Sequence, residues 1–193
     1  MIRKFFLPIL LGTGRQGRYS EYVVRFLLSE VQRYPLLKTQ LIDVRNFAPV
    51  RSRTDSCFTV PSWEPTNISR QWSAIMKRAD GLIVVSPEYN HGYPGELKIV
   101  LDEIFDEYAR KPVALCGVSS GGLGGARVVE QLRLVFAALG MVSIKNALYF
   151  SYVEKLFDKR GELQDKSYIK HVRTTLDELV WYARALRVAR KNV

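Results

Sequence analysis

Cysteine is scarce in this chain: only Cys57 and Cys116 occur in 193 residues. They form neither a C-x-x-C pair nor a zinc-ligand spacing, which argues against a disulfide framework and fits a reducing cytosol. Histidine is equally rare. His91 and His171 have no ligating partners at suitable spacing, so no metal site and no clear catalytic cluster is expected. No apolar run reaches the ~18 residues that a membrane-spanning helix needs. Repeats and low-complexity tracts are also missing. The start, "MIRKFFLPILLG", imitates a short secretory leader but lacks a clear small-x-small cleavage site, and it runs straight into a glycine loop. It reads as a first strand.

What is present is ordinary for a soluble globular protein: 47% hydrophobic and 25% charged residues. The length suits one domain over residues 1–193 with a full core. The formal charge of +10 is scattered, with a modest concentration in "RALRVARKNV". Scattered charge reads as a solvated basic surface, so neither nucleic acid nor membrane is an expected partner.

Apolar runs alternate with helical patterns. "FFLPILL" reads as strand 1, and "SEYVVRFLLSEVQR" as a helix over 20–33 with Ser20 as its N-cap. "LKTQLIDV" is strand 2. Residues 46–66, with Phe58 and Trp63, read as an ordered lid or interface loop, followed by a helix over 67–78. "GLIVVS" is strand 3, and "PGELKIVLDEIFDEY" a helix burying Leu97, Val100, Leu101, Ile104 and Phe105. "PVALCGV" is strand 4, "GGARVVEQLRLVFAAL" a helix ended by Gly140, and "VSIKNALYF" strand 5. A last helix over about 166–190 buries Val172, Leu176, Leu179, Val180 and Ala183. Trp72 and Trp181 read as core or interface residues. Tyr149, Phe150 and Tyr152 read first as packing, with a pocket wall as the alternative. The alternation implies an α/β three-layer sandwich: a five-stranded parallel sheet in the order 2-1-3-4-5, the flavodoxin-like form.

In open α/β sheets ligands bind beyond the carboxyl ends of the strands, at the switch point. Here that brings together the loops after strands 1, 3 and 4: "GTGRQGRYS", "PEYNHGYPG" and "SSGGLGG". Gly12, Gly14 and Gly17 match G-x-G-x-x-G, a weak signal alone. Thr13 and Ser20 add hydroxyls, and Arg15 and Arg18 add charge and forked donors at a helix N-terminus. That combination suits a terminal phosphate better than a bridging pyrophosphate. A dinucleotide with Asp43 on its ribose, or a bare turn, are the alternatives. In the second loop Tyr89 offers an aromatic wall and Asn90 a donor and an acceptor, suited to a flat heteroaromatic ring. The third loop can bring bare backbone amides to the polar edge of such a ring.

At these residues the sequence resembles the NADPH-dependent FMN reductase family, which includes quinone, chromate and azo reductase relatives. "PEYNHGYPGELKIVLDEI" is similar to that family's P-E-Y-N-x-x-x-P-x-x-L-K-x-x-x-D motif, "GTGR" to its phosphate loop and "GGLGGAR" to its third loop. The resemblance implies bound FMN and a nicotinamide donor, NADPH or NADH, with a small-molecule acceptor such as a quinone, free flavin, azo compound or metal oxyanion. It places Thr13, Arg15, Gly17, Arg18 and Ser20 around the phosphate. Pro87, Glu88, Tyr89 and Asn90 then border the isoalloxazine, and Ser119, Ser120, Gly121 and Gly122 approach its pyrimidine edge. It also implies a homodimer or homotetramer, and the sparse cysteines make the cytoplasm the expected location. Arg18 stands where many members have serine, Thr13 where serine is frequent, and His91 where a small residue is common. Because the cofactor carries the chemistry, no catalytic side chain is assigned. Two other readings are a non-catalytic flavin electron carrier and a hydrolase. The latter would use the "GVSSG" elbow, with Ser119 as nucleophile, Asp158 or Asp165 as acid and His171 as base.

Overall fold

A computed structural model describes residues 4–47 and 66–192. Most of the expected 46–66 lid, including Cys57, Phe58 and Trp63, lies outside the described residues.

The chain runs β1 (Phe5–Phe6), β2 (Ile9–Leu11), α1 (Ser20–Arg33), β3 (Leu37–Lys38), β4 (Leu41–Asp43) and α2 (Asn67–Arg78). It continues through β5 (Leu82–Pro87), α3 (Gly95–Leu101), β6 (Pro112–Val118), α4 (Ala126–Ala138), β7 (Val142–Ser143), β8 (Leu148–Phe150), α5 (Val153–Leu156) and α6 (Ser167–Ala189). Every ladder between these strands is parallel. The main sheet has the order β4-β2-β5-β6-β7, with β8 also on β6, and β1-β3 forms a small separate ladder. The α/β sandwich is therefore as expected, but three of the five expected strands are each broken in two. Pro8 separates β1 from β2, because it has no N–H for the ladder. Its carbonyl still accepts the Ile83 amide at 3.0 Å. Between β7 and β8, Glu178 of α6 takes the amides of Lys145 and Asn146 at 3.1 and 3.0 Å. Arg133 of α4 takes the carbonyls of Ile144 and Lys145 at 2.8 and 3.0 Å. Side chains from both layers replace the ladder there.

The sheet divides the core. Ile9 and Leu11 face α1 and α6, whereas Leu10 faces α2, α3 and α4, as strand alternation requires. Residues 82–86 are buried throughout, as in a central parallel strand. α6 buries the five residues expected of it. Trp72 is fully buried, and Trp181 is exposed.

Two helix expectations are corrected. The helix expected over 94–108 stops at Leu101, and Asp106–Tyr108 forms a short 3₁₀ turn. Tyr108 folds back beneath the helix end, donating its hydroxyl to the Leu101 carbonyl at 3.1 Å and accepting Trp72 Nε1–H at 2.7 Å. Burying that ring outweighs further helix, and Phe105 is left exposed while Ile104 is buried. Ser20 is not an N-cap. Tyr19 already has right-handed helical dihedrals and makes no side-chain cap, so Ser20 lies inside the first turn.

Candidate active site

The loops after β2, β5 and β6 meet at the carboxyl end of the sheet around a cleft of about 350 Å³. Its walls include nine of the expected site residues: Arg15, Gly17, Arg18, Ser20, Pro87, Glu88, Tyr89, Ser119 and Ser120. Thr13, Asn90, Gly121 and Gly122 are not in the walls. Gln16, Tyr19, Val118, Val153 and Glu154 are additional wall residues that the sequence did not single out.

The first loop is braced from several sides. Thr13 is fully buried. Its single hydroxyl hydrogen goes to Glu96 Oε1 at 3.2 Å, so Tyr89 O–H donates to Thr13 Oγ1 at 2.9 Å. The same Glu96 oxygen accepts the Gly14 amide at 2.9 Å. Arg45, just beyond β4, donates to the Gly14 and Arg15 carbonyls at 2.9 and 2.7 Å. Arg18, only 8% exposed, turns inward. Its guanidinium forks onto Asp43 and donates to the Thr13 carbonyl. Asp43 is thereby engaged by Arg18 rather than left for a ribose. Burial alone raises the Asp43 pKa, but hydrogen bonds from Arg18 and the Arg45 amide, with both positive charges, carry it below the usual carboxylate range.

Two residues of the wall each keep a buried polar atom with no hydrogen-bond partner: Ser20 Oγ, on a residue only 2% exposed, and Arg18 Nε. Glu21 Oε2 lies 3.8 Å from the latter. Buried polar atoms left unmatched in this way mark a missing partner. Arg15 adds an exposed guanidinium 6.0 Å from the Tyr89 ring centre.

The second loop is explained partly by structure. Tyr89 and Gly92 exchange two 2.9 Å backbone hydrogen bonds around Asn90 and His91, both with positive φ, 48° and 69°. This is the type I′ hairpin geometry, which favours Asn followed by Gly. His91 is the costly choice at its position, and Gln131 of α4 holds its carbonyl at 2.9 Å. His91→Gly is expected to raise stability by about 0.5–1 kcal/mol, read as a higher urea midpoint at unchanged slope. The Glu88 carboxylate caps α4, whose own start at Gly125 has no side-chain cap. It accepts the Arg127 and Val128 amides at 3.1 and 3.4 Å and pairs with the Arg127 guanidinium at 2.9 Å.

In the third loop Ser119 Oγ accepts the Gly121 amide at 2.9 Å, and Ser120 Oγ donates to Glu154 at 2.8 Å. The hydrolase arrangement does not assemble. His171 packs edge-on to Tyr168 with ring centres 6.0 Å apart. Asp158 and Asp165 accept amides of their own turns. Among the described residues no group of three or more histidine, cysteine or acidic side chains could hold a metal ion.

Comparison with known proteins agrees with this geometry. The chain is 33% identical over 144 residues to an NAD(P)H-dependent FMN reductase of Saccharomyces cerevisiae, covering 69% of this chain and 74% of that protein. It is 31% identical over 180 residues to a quinone reductase of Escherichia coli, covering 89% and 92%. A flavoenzyme NAD(P)H:acceptor oxidoreductase of Paracoccus denitrificans superposes with a TM-score of 0.72 at 17% identity, covering 94% of this chain and 98% of that one. The family model of NADPH-dependent FMN reductases matches residues 7–155, and the chain belongs to that family.

Proposed function

We propose that the cleft holds FMN, with its phosphate on residues 15–20 and its ring system beside Pro87, Tyr89 and the Ser119–Ser120 turn. The chain is an FMN-dependent NAD(P)H oxidoreductase, and its acceptor is a quinone or a related small molecule, as the names of its relatives suggest. The observation that carries the cofactor's placement is the pair of unmatched buried donors, Ser20 Oγ and Arg18 Nε, in the wall beside the exposed Arg15. Hydroxyl and guanidinium donors at the start of a helix suit a phosphate group. Bound FMN supplies two-electron transfer between nicotinamide and acceptor.

The protein's own residues position and shield. Glu96 and Arg45 hold the first loop through the Gly14 amide and carbonyl. Thr13 fixes the Tyr89 hydroxyl and hence the ring's place in the wall. The Asp43 carboxylate keeps the buried Arg18 charge paired. We further read residues 1–193 as one flavin-binding unit working in the cytoplasm. No helix among the described residues is long and apolar enough to cross a membrane. Exposed Ile99 on α3, Phe105 just beyond it and Leu134 on α4 support a homodimer through the face these helices form.

The test is the visible spectrum after FMN is added and excess is desalted away. A retained flavin spectrum, bleached anaerobically by NADPH, is expected. Arg15→Ala should weaken FMN about tenfold, the value of one charge-assisted hydrogen bond. Rapid NADPH oxidation by free quinone excludes a pure electron carrier. No retained flavin and no FMN-dependent NADPH oxidation would overturn the reading.

A further inference from the structure

The turn after β8 is held in a conformation that its residue disfavours. Tyr152 has φ 47° and ψ 45°, the left-handed region, which a bulky side chain disfavours. Burial does not offset this, because Tyr152 is 55% exposed. The backbone is pinned nonetheless. The Tyr152 amide donates to the Gly121 carbonyl at 3.3 Å, its carbonyl accepts the Lys155 amide at 2.8 Å, and Ser151 Oγ donates to the Gly122 carbonyl at 2.9 Å. The ring is set against Gly122, where an added Cβ would stand 2.8 Å from the tyrosine oxygen. The Lys155 ammonium sits 5.9 Å from the ring centre. Strain kept on an exposed aromatic is a reason to look for a ligand.

Ser151, Tyr152, Lys155 and Leu156 line a hollow of about 260 Å³. Val153 and Glu154, within the same turn, belong to the wall of the cleft. Neighbouring helical residues point about 100° apart. Glu154 thus meets Ser120 in the cleft wall while Lys155 faces the hollow. The hollow falls below the roughly 300–1,000 Å³ of pockets that enclose a whole drug-sized ligand. It fits one end of a longer molecule whose other end lies in the cleft. An aromatic ring with an ammonium beside it selects an aromatic group carrying an anion.

We propose that this hollow receives the far end of the hydride donor, a phosphorylated adenosine, with the purine against Tyr152 and the ribose phosphate paired with Lys155. The proposal rests on the nicotinamide-dependent reading above and assigns a preference for the phosphorylated donor to Lys155.

Calorimetry with adenosine 2′,5′-bisphosphate and adenosine 5′-monophosphate tests it on the full chain, with and without flavin. The wild-type chain is expected to bind the bisphosphate about tenfold more tightly, the value of one ion-paired hydrogen bond. Lys155→Gln should abolish that difference and leave the monophosphate unchanged. Tyr152→Gly suits the left-handed backbone, so it should keep its melting midpoint while binding both nucleotides about tenfold more weakly. In turnover, Lys155→Gln should raise KM for NADPH about tenfold and leave kcat and the KM for NADH unchanged. Equal wild-type affinity for the two nucleotides, or undiminished bisphosphate binding in both variants, overturns the proposal. The flavin spectrum of the same samples reports separately on the cofactor. A chain that binds the bisphosphate but keeps no flavin overturns the FMN reading and leaves this one standing.

Discussion

Gly125→Ala is expected to leave little folded protein, at a cost of about 4 kcal/mol or more. Gly125 has φ +82°, and an alanine Cβ there would lie 2.7 Å from the Val118 amide nitrogen, 2.8 Å from Gly117 Cα and 2.9 Å from the Gly117 carbonyl carbon. Every one of those atoms is backbone, so no side chain can swing aside. Gly117 faces the same crowding in return, with the Gly125 and Gly124 carbonyl oxygens 2.5 and 2.7 Å from its own ideal Cβ. Strand β6 and the start of α4 therefore touch glycine on glycine, directly beneath the third loop of the site. The left-handed conformation alone costs about 1–2 kcal/mol for alanine, and the clash adds the separation of two packed elements. With total stabilities of about 5–15 kcal/mol, such a change approaches the whole margin. Urea unfolding measures it, and Gly17→Ala is the matched control. Gly17 also has positive φ, +67°, but nothing lies within 4 Å of its Cβ position. It should lose only about 1–2 kcal/mol.

Lys111→Met should do the opposite and stabilise the protein at neutral pH. Lys111 is buried just before β6, with its ammonium on the Met76 carbonyl. Burial first, and the nearby Arg190 charge second, push its pKa down to about 8. An unfolded lysine titrates near 10.4, so between those values the unfolded chain binds more protons. Wild-type stability therefore rises with pH across that window. Below pH 8 both states are charged, and the native state carries the full penalty of about 3 kcal/mol. Methionine removes the penalty and loses one hydrogen bond worth about 1 kcal/mol. The Met76 carbonyl keeps the Ala79 amide at 3.1 Å. The net expectation is about 2 kcal/mol of stabilisation at pH 7, shrinking toward zero by pH 9.5. A variant gain that stays constant from pH 7 to 9.5 would show that Lys111 remains charged in the native state across that range and that burial does not lower its pKa.

Local pattern made the element order legible: the 67–78 helix, the all-buried β5 and the apolar stripe of α6 follow from periodicity alone. The same pattern placed the three ligand loops together, because parallel order decides which strand ends are neighbours. What it could not carry was pairing across the chain. Arg18 reads as a phosphate-loop residue, and nothing local shows that Asp43, on the neighbouring strand, pairs with its guanidinium from within and leaves only Nε unmatched. Glu88 lines the cleft, but its second task, capping α4, is invisible until that helix is seen to begin without a capping side chain of its own. Arg45 and Glu96 brace the first loop from 31 and 82 residues away. Their signal was faint: one follows the end of the strand beside strand 1, and the other lies in the first turn after the second loop. The short α3 was hidden for a similar reason, since Tyr108 competes for the last helical carbonyl through burial against Trp72 rather than through helix propensity.

Cys116 lies in the middle of β6, fully sequestered, and burial pushes its thiol well above the ordinary range. The reactive thiolate is thus denied to it while the sheet is closed. A thiol reagent reaches this sulfur only when the central strands part, so its modification rate in native buffer reads out how often they do. In a background lacking Cys57, the chain carries its own clock for opening, seated one residue before the glycine on which the third loop rests, with no label introduced.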